Sequence, residues 1–377
     1  MSSLYFHVPF CRSKCPYCDF FSLPGDRERL AAYADLLRRH LDLLFKSGRL
    51  AGPLTTVFFG GGTPSLLTSA EIALLLQALR EGPGIAPGAE ISLEANPGTV
   101  DRSKLQGYRA AGITRLSLGV QSLSEPALRL LGRSHTREEA VDAFRLARES
   151  GFASLSCDLM FGLPGQSRGD LLRELDAVLT LGPDHLSCYG LAVEEDTPFH
   201  HLHRAGNLEL PGEEVYREQY LTVHERLVAA GFDHYEISNY GRTGHACRHN
   251  LVYWRRQPYL GLGAGAHSFV DKEWGERRAV APDLERYRRL LDLGRDPEAL
   301  VESFDRRGAM SETLYLGLRT AEGVSEQAFV QRFGQGVADA FPEAAARCSR
   351  HLALEDGRWR MDLNGWLIYD HLITAFL

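Results

Sequence analysis

No stretch of this chain can be read as a membrane span: the ~20 consecutive apolar residues that such a helix needs occur nowhere in its 377 residues. No basic-then-apolar leader precedes Tyr5 either. Positive charge is not in surplus. Lys and Arg number 42 against 49 Asp and Glu, a formal net charge of −7, which argues against a nucleic-acid binder that relies on phosphate attraction. Internal repeats and low-complexity tracts are missing, so solenoid and disordered architectures fall away. The cysteines follow neither the CxxC…CxxC of structural zinc nor the CxxCH of covalent haem attachment; Cys247-Arg248-His249 comes no closer than that. A disulfide framework does not fit an odd cysteine loop in a chain expected in the reducing cytoplasm.

What the chain does have is Cys11-Arg12-Ser13-Lys14-Cys15-Pro16-Tyr17-Cys18, directly after an apolar run. Thiolates this close together select iron–sulfur clusters, zinc or copper(I). Zinc would need Cys11, Cys15, Cys18 and a fourth ligand such as His7. A 4Fe–4S cluster would leave one iron without a protein ligand, and that iron can take a small chelating molecule. With Tyr17 before its last cysteine, this CxxxCxxC resembles the signature of the radical S-adenosylmethionine (SAM) superfamily, in which SAM chelates the open iron.

Short β-branched or aromatic runs at 4–10, 55–59, 90–95, 115–120, 154–160 and 185–191 alternate with amphipathic stretches at 27–45, 69–80, 137–149 and 169–181. That alternation predicts an α/β fold of parallel strands and crossover helices. A doubly wound sheet satisfies it as well; the resemblance implies a partial (β/α)6 barrel. The unusual clusters all follow strands: Gly60-Gly61-Gly62-Thr63-Pro64, Glu94-Ala95-Asn96-Pro97, Gly119-Val120-Gln121-Ser122 and Asp158 to Gln166. Barrel active sites are built at that edge. Bare glycines let backbone approach a ligand. A tight turn needs the same residues.

GGGTP, EANP, GVQS, LGRSH and DLMFGLPGQ narrow the resemblance to the HemN-like branch, that of the oxygen-independent coproporphyrinogen III dehydrogenases, over about residues 4–270. It implies Cys11, Cys15 and Cys18 as cluster ligands. For SAM it implies Tyr5, Tyr17, Gly61, Gly62, Thr63, Glu94, Gln121, Arg133 and Asp158, with the backbone of Ala192 at the adenine. A solvated arginine and a turn-capping aspartate are the plain alternatives for Arg133 and Asp158. The enzymes of that branch use radical chemistry for two oxidative decarboxylations.

Three features separate this chain from those enzymes. Phe20 stands where they carry a fourth cysteine, only ten residues precede Cys11, and His249-Asn250-Leu251-Val252-Tyr253-Trp254 matches the HNxxYW motif of the HemW family of haem chaperones. That resemblance implies haem as cargo, His249 as axial ligand to its iron, Asn250 orienting the imidazole, and Tyr253 and Trp254 against the macrocycle. A satisfied core histidine is the alternative for His249, and the part of Cys247 stays open. The implied partners are a haem-acceptor apoprotein and an electron donor. No nucleic acid is expected, membrane contact would come only through an acceptor, and homodimerisation is left open.

His200, His201 and His203 read as a solvated loop, and Cys157 and Cys188 as small buried hydrophobes. Beyond about residue 300, helices at 311–319, 325–333 and 337–350 precede a hairpin around Asp356-Gly357 and a closing helix at 368–376. This predicts a mostly helical, winged-helix-like domain with a structural or lid role. The expected division is 1–270 for the barrel with its haem-motif extension, 271–302 for a connection and 303–377 for the C-terminal domain.

Overall fold

The computed structural model describes residues 2–50 and 52–377. Six strands lie side by side and parallel: β1 (Ser3–Val8), β2 (Leu54–Gly61), β3 (Ile85–Ala95), β4 (Arg115–Gln121), β5 (Ser154–Phe161) and β6 (His185–Gly190). Helices Arg27–Lys46, Ser69–Glu81, Arg102–Ala111, Arg137–Glu149 and Arg168–Thr180 make the crossovers. Each starts where its sequence says it should. Asp26, Thr68, Asp101, Thr136 and Ser167 accept a backbone N–H of the first turn, and three of these N-caps close capping boxes with Glu71, Glu139 and Asp170.

The sheet continues past both flanks of this unit. β7 (Asp233–Glu236) and β8 (Asn239–Gly241) add antiparallel strands beyond β6, and β9 (Leu260–Leu262) runs parallel to β1 on the other side. The order is β9-β1-β2-β3-β4-β5-β6-β8-β7, an open sheet. The α/β reading as a partial (β/α)6 barrel therefore holds, with these three short strands as additions that the sequence did not announce. Strand β5 is buried almost end to end, as expected of a parallel strand covered on both faces. Leu4, Phe6, Val57, Phe59, Leu116 and Leu118 are fully buried in one continuous core, each side chain contributing about 1.5–3 kcal/mol by leaving water.

The stretch expected to connect two domains is itself folded. Strands His267–Val270, Glu276–Val280 and Glu298–Ser303 form an antiparallel sheet. Helix Leu284–Asp292 packs on the first crossover helix, where the Tyr287 hydroxyl lies 3.2 Å from His40 Nδ1. Helices Arg306–Gly317, Glu326–Phe333 and Pro342–Cys348 follow, with a three-stranded sheet built on hairpin Leu352–Glu355 and Arg358–Met361. Among the described residues no helix is long and apolar enough to cross a membrane.

Candidate functional site

The cysteine loop leaves the C-terminal end of β1 and is held from below. The Cys18 amide donates to the Cys15 carbonyl at 3.2 Å, closing a turn, and Phe199 N–H donates to the Pro16 carbonyl at 2.9 Å. Tyr17 packs with Leu131, Met160 and Phe199 in a small hydrophobic cluster of its own, so the aromatic before the last cysteine anchors the loop. Gly132 has φ +64°, and a Cβ there would lie 2.7 Å from the Pro16 ring. All three cysteines are free thiols, partly exposed, on the wall of one cavity of about 470 Å³.

That cavity collects residues from every strand end. Gly61, Gly62 and Thr63 come from the β2 end, Glu94 from β3, Gln121 from β4, Asp158 from β5, Ala192 from beyond β6, and Arg133 from the loop after β4. Tyr5 does not line it. Its ring lies beneath, with its hydroxyl 3.0 Å from His7 Nδ1 and its face stacked near Phe58 and His249. The glycines answer first to the protein itself. A Cβ at Gly61 (φ +111°) would strike the His7 ring at 2.7 Å, and one at Gly62 would strike the Phe10 carbonyl at 2.7 Å. Gln121 is a non-glycine residue at φ 67°, a sparsely populated conformation that persists only where its surroundings hold it.

The polar atoms here are arranged for a guest. The Thr63 hydroxyl donates toward Cys11 Sγ, and Arg133 Nη1 toward Cys15 Sγ, both at 3.5 Å. Arg133 Nη2 donates to the Gly119 carbonyl at 2.7 Å, while its Nε is buried without a partner among the described residues. Glu94 accepts the Gly61 N–H at 3.2 Å. Burial, then the neighbouring Asp158 charge, pushes its pKa up to about 8. Burial also raises Asp158, opposed by hydrogen bonds including one from Ser117 at 2.9 Å. Two buried acids are relieved by a cationic ligand bearing donors, and N–H and O–H groups aimed at sulfur suit cysteines that carry an anionic cluster. The residues present thus fit both a thiolate-held cluster and a cationic molecule beside it. His7, the fourth ligand of the zinc alternative, is turned away into the Tyr5 and Gly61 packing.

The HNxxYW residues form helix Arg248–Trp254 at the other end of the barrel. Glu90 in the middle of β3 accepts the backbone N–H groups of Arg248 and His249 at 3.1 and 3.0 Å. His249 is fully buried. Its Nδ1 meets the Thr56 hydroxyl at 2.8 Å and its Nε2 the Tyr253 hydroxyl at 2.7 Å. Burial lowers its pKa to about 3. The expected axial ligand is therefore not presented here: both ring nitrogens are occupied and no face reaches solvent. Asn250 and Trp254 are half-buried, and Cys247 is buried with its Sγ 3.6 Å from Glu90.

Other expectations needed correction. The histidines at 200, 201 and 203 lie not in a loop but on helix Pro198–Arg204, capped by Thr197. Sequence reasoning missed Met160 and Tyr189, which line the cavity from β5 and β6; their positions at strand ends were the available signal. It also missed Thr56 and Glu90, whose partners lie 193 and 158–159 positions away and leave no local trace. Cys157 and Cys188 are buried as expected.

Comparison with known proteins bears on both ends. The radical SAM superfamily matches residues 5–178 and the HemN C-terminal domain matches residues 304–368. The chain is 41% identical to heme chaperone HemW of Synechocystis over 86% of its length and 79% of that protein's. It is 34% identical to heme chaperone HemW of Bacillus subtilis, over 91% and 89%. Against that of Escherichia coli it is 40% identical, over 80% of each. Among solved structures, coproporphyrinogen III oxidase (HemN) of Escherichia coli superposes with a TM-score of 0.83 at 23% identity, covering 99% of this chain and 89% of that one.

Proposed function

This chain belongs to the radical SAM superfamily and, within it, to the family of its HemW relatives, and on that premise we propose that it is a haem chaperone. Membership brings a 4Fe–4S cluster and SAM as cofactors. Cys11, Cys15 and Cys18 hold the cluster in this reading. Thr63 and Arg133 donate to the cysteine sulfurs, Arg133 keeps a spare donor for the SAM carboxylate, and Glu94 and Asp158 balance SAM's positive charge. Gly61, Gly62 and Gln121 shape the walls, Tyr17 fixes the loop, Tyr5 supports the floor through His7, and the Ala192 backbone meets the adenine. The cluster, when bound and reduced, supplies the electron for SAM cleavage.

The observation that carries the chaperone reading is a HemW-type motif, His249 to Trp254, in a chain that has Phe20 at the cavity mouth where the branch's enzymes place cysteine. His249 becomes an iron ligand only after the Tyr253 hydroxyl leaves its Nε2, so haem capture requires the motif helix to open. Asn250 then orients the ring, and Tyr253 and Trp254 meet the macrocycle. Residues 1–270, 271–302 and 303–377 act as carrier barrel, brace and cover. The cytoplasm suits a chain with three cluster-binding cysteines and four further free thiols. Haem is delivered to an acceptor apoprotein. The test is to load the protein with haem, mix it with a haem-free globin and follow the Soret band: transfer supports the reading, and absence of haem uptake defeats it.

A further inference from the structure

A second cavity, of about 330 Å³, opens between the end of the motif helix and the C-terminal helices. Its walls divide by chemistry. Trp254, the last residue of the motif helix, faces it together with Phe329 and Phe333 of helix Glu326–Phe333. The Trp254 indole N–H is buried without a hydrogen-bond partner among the described residues.

The rim is basic. Arg255, Arg332 and Arg358 line it against Glu322 and Asp271. Glu322 is shared by Arg255 at 2.8 Å and Arg358 at 3.0 Å, and Arg332 meets Asp271 at 2.7 Å. One carboxylate between two guanidiniums leaves positive charge to spare. Partly exposed pairs of this kind contribute only about 0–1 kcal/mol each, so an incoming carboxylate can take over an arginine at little cost. The described lining contains no His, Cys, Met or Tyr, so it offers iron no customary ligand.

We propose that this groove docks the carboxylate edge of a porphyrin, with part of the macrocycle's face against Trp254 and its acid groups on Arg255 and Arg332. The inference rests on the haem reading and deepens it by separating edge recognition from iron ligation. A groove of this size lies at the low end of pockets that enclose small molecules. It grips one edge and leaves the iron to a ligand elsewhere, either His249 once released or a residue of the acceptor. Planar guanidinium is suited to carboxylate, and charge complementarity chooses a diacid over its ester.

The test titrates the full-length protein with iron-free protoporphyrin and with its dimethyl ester, following tryptophan fluorescence. We expect the diacid to bind at least tenfold more tightly than the ester, and added salt to narrow the gap. Arg255→Gln with Arg332→Gln should abolish the preference while leaving the melting temperature and cluster iron content unchanged. Equal binding of diacid and ester by the parent overturns the groove and leaves the haem reading intact if haem still binds. A preference that survives in a folded double variant overturns it too. No binding of haem or of either porphyrin by the parent defeats both.

Discussion

The two ends of the barrel are built on opposite principles. At the C-terminal ends of the strands, the cysteine cavity keeps polar groups unspent: an arginine Nε without a partner among the described residues, two buried acids whose charges oppose each other, three free thiols. At the opposite end, the HNxxYW helix holds its histidine fast: Glu90 accepts the helix N–H groups of Arg248 and His249, and Thr56 and Tyr253 meet both nitrogens of His249. The first is a site waiting for a guest. The second is a closed joint, and in the proposed function it has to open before His249 can meet iron. Barrel folds commonly divide their labour this way, with chemistry at the C-terminal face and stability at the other. Here the closed end also carries the HNxxYW stretch, His249 to Trp254.

The largest expected break falls on the open end. Cys15→Ser should drop the iron of anaerobically reconstituted protein from about four per chain to near zero, with circular dichroism unchanged, because the loop is anchored by Tyr17 and Pro16 rather than by its thiols. The closed end should respond the other way. His249→Ala strands the Thr56 and Tyr253 hydroxyls beside a cavity and should cost about 2–4 kcal/mol in urea unfolding, while cluster iron stays. Tyr253→Phe should cost less, about 1 kcal/mol, and should raise haem affinity by freeing Nε2.

Titration sharpens the contrast. His249 has a folded pKa near 3 and His7 one near 4, both held down by burial. Unfolding therefore takes up protons below about pH 6.5, and stability falls with acid by about 1.4 kcal/mol per pH unit for each such histidine. Glu94, raised to about 8, has the opposite sign: between pH 4.5 and 8 its native form binds the proton, so acid favours folding. Glu94→Gln removes that opposition, and its melting temperature should fall more steeply than the parent's from pH 6.5 to 5. The smallest net effect belongs to Gln121→Gly, where relief of the positive φ, of order 1–3 kcal/mol, is offset in part by glycine's chain-entropy cost of about 0.5–1 kcal/mol, at the expense of SAM affinity.

The open end was legible in the sequence because its signals are local. Three cysteines sit within eight residues, and each polar cluster spans the C-terminal end of the strand that delivers it. The closed end was legible as a motif and misleading as a geometry. Nothing around His249 indicates that Thr56 and Glu90, at the other side of the sequence, seal it. Tyr5 was placed in the SAM site by resemblance and lies under it, since its register on β1 puts it opposite Phe58 rather than at the strand's mouth. The folded state of 271–302 was missed because its strands pair with one another across a helix and carry weak alternation.

The central claim is that this chain carries haem rather than making its precursor. Reconstituted anaerobically and supplied with SAM, reductant and coproporphyrinogen III, it should yield no protoporphyrinogen by chromatography and mass while still taking up haem. Product in excess of one equivalent per protein would contradict the claim and make it an enzyme.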